Sequence, residues 1–180
     1  MYKRQLAGAL KKNGVFPLTA AELARPLVKA TSLDDNIDDL TGLPQEADNV
    51  RIEQLLLERG IIITHSLGND INGTGLLNIN ADDYAVSIAK ALRASFLVMA
   101  TNTNGVLHMG KTIQKIVTLT AQSLVSEGVI VADMAVKVET ALHATQNGVG
   151  QVVITNAKRP GAILNGITGK GRMATTVCAN

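Results

Sequence analysis

Apolar positions along the chain follow helical spacing in some segments and strand-like spacing in others, and the two kinds of segment alternate. Apolar residues at intervals of three and four predict helices, whereas short apolar runs predict buried strands. Helices are predicted over 3–13, 19–30, 49–59, 81–93, 119–127 and 134–146. Strands are predicted over 61–65, 74–80, 96–101, 151–155 and 172–178. This alternation predicts an α/β fold with a mostly parallel sheet.

Local sequence signals at three places refine these predictions. Thr19 and Glu22 have the spacing of a capping box, in which two side chains bind each other's backbone at a helix start. Pro26 lies inside this predicted helix and counts against it, because proline lacks the N–H that a helix interior needs. Asn72-Gly73 predicts the turn of a β-hairpin.

An acidic segment separates the first two predicted helices from the rest of the chain. Six of the 15 acidic residues lie within 34–48, which contains no Lys or Arg, so we predict a polar loop there. The segment begins like a calcium-binding EF-hand loop. However, its sixth position is Asp39 rather than Gly and its twelfth is Gln45 rather than Glu, so we predict no calcium site.

Composition excludes several classes of protein. The chain is 46% hydrophobic and 18% charged, which is not the composition of a disordered protein. A net charge of +2 and 2% aromatic residues argue against binding of nucleic acid by bulk charge or by base stacking. The single cysteine, Cys178, cannot form an internal disulfide or a cysteine-based zinc site. With no long apolar run or signal-like start, we expect a cytoplasmic protein.

One segment matches the Walker A pattern of P-loop NTPases. Gly105 to Thr112 fits G-x-x-x-x-G-K-[ST], with Lys111 at the position that reaches phosphates. The segment 129–132 could form the strand of the companion Walker B motif, with Asp133 as its acid. A Walker A loop opens directly into a helix, however, and the residues after Thr112 are rich in β-branched side chains. A P-loop NTPase is therefore the less favoured alternative.

A second set of motifs covers more of the chain. These motifs are the run LNINAD (77–82), the turn NTNGVL (102–107) and the helix start MAVKVE (134–139). In their order and spacing they resemble the amino acid kinase family, most closely its acetylglutamate kinase branch. The resemblance covers roughly 49–180, and more weakly 6–19.

The resemblance implies a fold and a reaction. The fold would be a three-layer αβα sandwich with a mostly parallel central sheet, here incomplete. The reaction would transfer a phosphoryl group from ATP, with Mg²⁺, to the side-chain carboxylate of N-acetyl-L-glutamate, a step of arginine biosynthesis. The substrate carboxylate is itself the nucleophile, so catalysis would consist of positioning and charge neutralisation. No metal site built from protein ligands is predicted, and the three histidines are expected to be structural or exposed.

The resemblance also assigns roles to individual residues. Lys137 would stabilise charge on the leaving phosphate, and Asp82 would hold the catalytic lysines in place. Asn78 and Asn80 would bind the acyl substrate. Four further residues would contact the nucleotide: Thr101, Asn102, Gly105 and Met134.

The chain departs from the family pattern at two nucleotide positions. The family has Asp where this chain has Asn102, and Gly where it has Asp133. A negative charge at the second position would repel phosphate. A non-catalytic nucleotide-binding or regulatory relative is therefore the alternative. The end of the chain nevertheless keeps four basic residues that would suit phosphates: Lys158, Arg159, Lys170 and Arg172.

The glycine motifs that open the family's sequences do not occur here. We therefore expect 1–48 to be a remnant of the N-terminal, substrate-binding part with its acidic loop, and 49–180 to be the nucleotide-binding C-terminal part. On this interpretation the chain acts only within a complete enzyme. Its expected partners are ATP and a small acyl amino acid, and copies of the chain could form a homo-oligomer. Neither nucleic acid nor a membrane is expected.

Overall fold

A computed structural model describes residues 2–33, 40–73 and 75–179. The chain divides into two compact units, the first ending at Leu92 and the second starting at Arg93. This division does not coincide with the functional boundary expected between 48 and 49, which stays a prediction. Within the described ranges, no helix has the length and apolar character needed to cross a bilayer.

The first unit combines helices with a small closed barrel. Its described helices are α1 (Tyr2–Lys12), α2 (Asn49–Arg59) and α3 (Ala81–Ala91). Its described strands are β1 (Leu18–Thr19), β2 (Val28–Ser32), β3 (Thr41–Ala47), β4 (Ile62–Ile63), β5 (Leu67–Asp70) and β6 (Leu76–Ile79). Strands β2, β3, β6 and β5 close the barrel in that order, and β1 pairs with β4 in parallel.

The core of the first unit lies between this barrel and its helices. It includes Leu27 and Val28 at the start of β2, Ile52 of α2 and Tyr84 of α3. Helix α2 forms as predicted because both of its ends are satisfied locally. The Asp48 carboxylate accepts a hydrogen bond from the backbone of the first turn, and Gly60 ends the helix at a φ of 71°.

Two predictions for the first 48 residues are wrong. The segment 19–30 is not a helix. The backbone N–H and hydroxyl of Thr19 do donate to the Glu22 carboxylate, at 2.9 and 2.6 Å, but only a short turn follows, and strand β2 begins at Val28. Pro26 accounts for this, because it cannot continue the ladder of helical hydrogen bonds.

The acidic segment is also not wholly a loop, since 41–47 forms strand β3 within the barrel. Gly42 does not mark a turn there. A Cβ on Gly42 would lie 2.6 Å from Cβ of Leu77, so the glycine allows two strands to pack closely. The start of the EF-hand-like run, at 34–39, lies outside the described residues.

The second unit is built around a four-stranded sheet. Its described helices are α4 (Thr118–Ser126), α5 (Ala132–Gln146) and α6 (Ala162–Thr168). Its described strands are β7 (Phe96–Thr101), β8 (Leu107–His108), β9 (Lys111–Thr112), β10 (Lys115–Val117), β11 (Gln151–Asn156) and β12 (Ala174–Cys178). The sheet order is β10-β12-β11-β7, and β8 and β9 form a separate hairpin.

Helices cover both faces of this sheet. Val152, Val153 and Ile154 of β11 are all fully buried, and consecutive strand residues point to opposite faces. Both α5 and α6 contact β11. Strand β11 is parallel to β7 but antiparallel to β12, and β12 is parallel to β10. The predicted α/β class is confirmed, with sheets of mixed direction.

Most predicted elements of the second unit are confirmed. The strand over 96–101 has the predicted bounds, and the predicted strands near 151–155 and 172–178 form within two residues of their expected ends. Helices α4 and α5 also form where their apolar spacing predicts them. Helix α6 was not predicted, because it spans only seven residues and shows too short a pattern.

Candidate functional site

The residues expected to bind the acyl substrate lie where β6 turns into α3. Asn78 is in β6 with its side chain exposed, whereas its neighbours Leu77 and Ile79 are buried in the core. Asn80 is the N-cap of α3, and its side-chain oxygen accepts a hydrogen bond of 2.9 Å from the backbone N–H of Asp82. Asp82 lies in the first turn of α3, where the helix dipole favours a carboxylate.

Two backbone contacts fix this junction. The N–H of Asn78 donates to the carbonyl of Leu40 at 2.6 Å, and the N–H of Ile79 donates to the carbonyl of Ser66 at 2.9 Å. The strand thus has partners on both sides. Because side chains alternate along a strand, burying Leu77 and Ile79 turns Asn78 outward.

Tyr84 attaches α3 to the core of the first unit. Its hydroxyl lies 3.2 Å from the Thr64 hydroxyl, and its side chain is buried in the core. Burial raises the pKa of Tyr84, an effect that hydrogen bonds to Thr64 and the Leu27 backbone partly oppose. Because the pKa of Tyr84 is higher in the folded than in the unfolded state, its neutral phenol contributes stability that is fully present at pH values below the unfolded-state pKa of 10.0. That contribution is lost as the pH rises through the folded-state pKa.

The residues expected to meet the nucleotide begin at the carboxyl end of β7. Thr101 ends this strand, and its hydroxyl lies 3.4 Å from the side-chain oxygen of the exposed Asn102. Thr101 pairs in parallel with Asn156 at the end of β11. The Asn156 amide donates to the Asn102 carbonyl at 3.3 Å and to the Asn104 side-chain oxygen at 3.1 Å. Asn156 therefore organises the turn, although sequence reasoning did not single it out.

A second long-range contact holds the far end of this turn. Gly105 has a φ of 87°, and a Cβ there would lie 2.6 Å from Oγ1 and 2.7 Å from N of Thr175. The Thr175 hydroxyl accepts from the Val106 N–H at 2.8 Å and donates to the Ile113 carbonyl at 2.6 Å. The buried Gly105 backbone thus packs directly on β12.

Replacing Thr175 by valine should destabilise the second unit by about 2 kcal/mol. Valine has nearly the same shape, but it removes two buried hydrogen bonds and leaves the Val106 N–H without its partner. Urea unfolding followed by circular dichroism measures the change. Thr175→Ser keeps the hydroxyl and should lose clearly less stability. Equal losses in the two variants would contradict the proposed role of the hydroxyl.

The Walker A interpretation is wrong. Lys111 and Thr112 form strand β9, which pairs with β8 as an antiparallel hairpin rather than opening a helix. Met109 and Gly110 make the turn, both at positive φ as in a type I′ turn. The prediction of a companion Walker B strand is also wrong, since 129–131 is irregular and Asp133 lies in the first turn of α5.

Helix α5 carries the remaining residues expected at the nucleotide. Met134 and Lys137 are three residues apart near its start, so they share one face of the helix, and both are half-buried. Asp133 is exposed in the first turn, and Val131 at the N-cap offers no side-chain hydrogen bond. The departure from the family pattern therefore puts a negative charge at the helix N-terminus.

The structure groups the expected site residues into two sets. Asn78, Asn80 and Asp82 belong to the first unit, at one strand-to-helix junction. The nucleotide residues and Lys137 belong to the second unit. Among the described residues, no three His, Cys, Asp or Glu side chains form a group that could hold a metal ion.

Comparison with known proteins decides the family. The model of the amino acid kinase family matches residues 1–156 of this chain. The chain belongs to the amino acid kinase family. The match includes the first 48 residues, where the resemblance in the sequence is weak, and it ends at Asn156, before α6 and β12.

Curated proteins that are similar to this chain include acetylglutamate kinases. That of Staphylococcus epidermidis is 32% identical over 162 residues, covering 90% of this chain and 66% of its own length. That of Nitrobacter hamburgensis is 33% identical, covering 87% of this chain and 53% of its own length. The chain thus spans about half to two-thirds of the length of the curated relatives it matches.

Solved structures give the same fold. A Streptococcus mutans protein superposes with a TM-score of 0.79 and 31% identity, over 98% of this chain and 66% of its own. N-acetylglutamate synthase from Neisseria gonorrhoeae, complexed with coenzyme A and N-acetyl-glutamate, superposes with a TM-score of 0.77 over 99% of this chain and 43% of its own. The latter is 21% identical and supports the fold alone. The predicted amino acid kinase fold is confirmed.

Proposed function

We propose that this chain supplies the nucleotide site and part of the acyl-substrate site of an acetylglutamate kinase. The reaction is transfer of the terminal phosphoryl group of ATP to the side-chain carboxylate of N-acetyl-L-glutamate, giving an acyl phosphate. The observation that carries the proposal is the β6–α3 junction, where Asn78, Asn80 and Asp82 follow one another in a fixed geometry. The similarity to acetylglutamate kinases favours this substrate.

The residues of the second unit have the chemistry that a nucleotide needs. Lys137 offers a cation for the phosphates, and Thr101 and Asn102 offer a hydroxyl and an amide beside the carboxyl end of β7. Ligands of α/β proteins commonly bind at this end of the strands. ATP fits this donor set, and Mg²⁺ would be carried by its phosphates. When bound, ATP with Mg²⁺ supplies the phosphoryl group and neutralises part of its charge.

Each protein residue in this proposal binds or positions a reactant. The exposed Asn78 amide would orient the acyl substrate, whereas the Asn80 oxygen is already used to cap α3, leaving its NH₂ for the substrate. Asp82 would hold lysine side chains in position. Lys137 would stabilise negative charge that develops on the leaving phosphate.

One experiment tests the reaction. The chain is mixed with the part of the Staphylococcus epidermidis relative that it does not match, together with MgATP, N-acetyl-L-glutamate and hydroxylamine. We expect hydroxylamine to trap the acyl phosphate as a hydroxamate, and Asn78→Ala to reduce its yield at least tenfold by losing one substrate contact. N-acetyl-L-glutamine, which lacks the acceptor carboxylate, is the control substrate. Association of the two parts without hydroxamate formation would contradict the proposal.

A non-catalytic nucleotide-binding or regulatory relative is the second candidate. The observation that favours it is the exposed Asp133 carboxylate at the start of α5. A helix N-terminus normally attracts phosphate, and this negative charge opposes that attraction. The same assay separates the two candidates. If the chain binds MgATP by calorimetry but gives no hydroxamate until Asp133→Gly is introduced, the regulatory function is favoured.

A further inference from the structure

The second unit contains a cavity of about 410 Å³ beside α6. Its wall comes from α6 itself, from the segments that join this helix to β11 and β12, and from the start of β12. The volume lies within the range of small-molecule sites. Five residues expected at the nucleotide do not line it: Thr101, Asn102, Gly105, Met134 and Lys137.

Three exposed basic residues line this cavity. Arg159 precedes α6, whereas Lys170 and Arg172 follow it, and all three line the space. Within the part of the chain that the structure describes, none of these three cations forms an ion pair with a carboxylate. No Asp or Glu occurs in the sequence after Glu139. The positive potential of the cavity is therefore not offset by a nearby acid on this segment.

Small residues line the part of the cavity that faces the sheet. Gly166 of α6 packs so closely on the sheet that a Cβ there would lie 2.7 Å from Cγ1 of Val153. Ala162 and Ala174 complete this floor. Pro160 and Met173 add apolar wall, and residue Met173 is 43% exposed. The cavity thus offers positive charge and apolar surface side by side.

We propose that this cavity binds a small phosphorylated metabolite, at a site separate from the nucleotide site. Its phosphate would be held by Arg159, Lys170 and Arg172, and its organic part would lie against Pro160 and Met173. Arginine suits this role because its planar fork binds two phosphate oxygens at once, while lysine adds a point charge. The proposal goes beyond the kinase reaction and does not depend on it.

Calorimetric titration of the full chain with pyrophosphate tests the site. We expect saturable binding, and we expect Lys170→Ala and Arg172→Ala each to weaken it about tenfold by removing one charge-assisted contact. Lys158→Ala is the matched control. It removes the same charge next to Arg159, but Lys158 does not line the cavity, so affinity should stay within about twofold. Circular dichroism verifies that each variant folds.

Three results would overturn the proposal. The first is no binding by the unmodified chain. The second is equal weakening by Lys158→Ala and Lys170→Ala, which would indicate attraction by bulk charge. The third is weakening by Lys137→Ala but not by Lys170→Ala, which would indicate that pyrophosphate occupies the nucleotide site. A failure of the kinase reaction alone would leave the expected binding pattern unchanged.

Discussion

Replacing Lys137 by alanine should lower phosphoryl transfer by about 10² to 10³ in the reconstituted assay. The ammonium group is proposed to face charge that develops on the leaving phosphate. Its loss should therefore destabilise the transition state more than it weakens the binding of ATP in the ground state. For the chain alone we expect MgATP affinity to fall about tenfold, since one charge-assisted contact is lost. Hydroxamate yield measures the first effect and calorimetry measures the second.

Lys111→Ala is the control for this experiment. Lys111 would be the essential cation of a P-loop, but it lies in strand β9 of a hairpin with its side chain exposed. Its loss should change neither the rate nor the affinity by more than about twofold, as expected for an exposed side chain. A larger effect of Lys111→Ala than of Lys137→Ala would reverse the assignment of the nucleotide site.

Replacing Gly105 by alanine should destabilise the second unit by about 3–4 kcal/mol. Two costs add. A φ of 87° is unfavourable for a residue with a Cβ, and that Cβ would overlap the Thr175 backbone N at 2.7 Å. Because a backbone atom cannot swing aside as a side chain does, the turn after β7 must move. MgATP binding by the chain should weaken together with stability.

Gly110→Ala separates the two costs. Gly110 also has a positive φ, 76°, but no atom lies within 4 Å of its added Cβ. It should therefore lose only the conformational part, about 1–2 kcal/mol. The difference between the two variants in urea unfolding reports the overlap with Thr175. If both lose the same stability, close packing of Gly105 on β12 is not needed for the fold.

Local sequence was sufficient for elements that carry their own signals. Helix α2 has an Asp cap, a terminal Gly and apolar residues at helical spacing, and all of these act within a few residues. Strand β7 is a continuous apolar run of strand length. The segment 19–30 shows the limit of this reasoning. Its capping contact between Thr19 and Glu22 forms, but a local contact does not by itself make a helix.

The positions of the candidate site residues were predictable only in part. Asn78, Asn80 and Asp82 are within five consecutive positions, so a motif in the sequence captures them and the structure puts them at one junction. Asn156 supports the turn at Asn102 from across the sheet. No local pattern identifies it, because its contact depends on the parallel register of two strands.

The sequence by itself determined the α/β class, the position of most helices and strands in the second unit, and the order of the family's motifs. Tertiary structure decided the remainder. It made 41–47 a strand of the barrel, where Gly42 packs against Leu77, it packed Gly105 against Thr175, and it put the three cations along one cavity beside α6. The physical reason is the range of the interactions involved. Periodicity and caps act over one or two turns, whereas these contacts join distant residues that only sheet register and helix packing bring together.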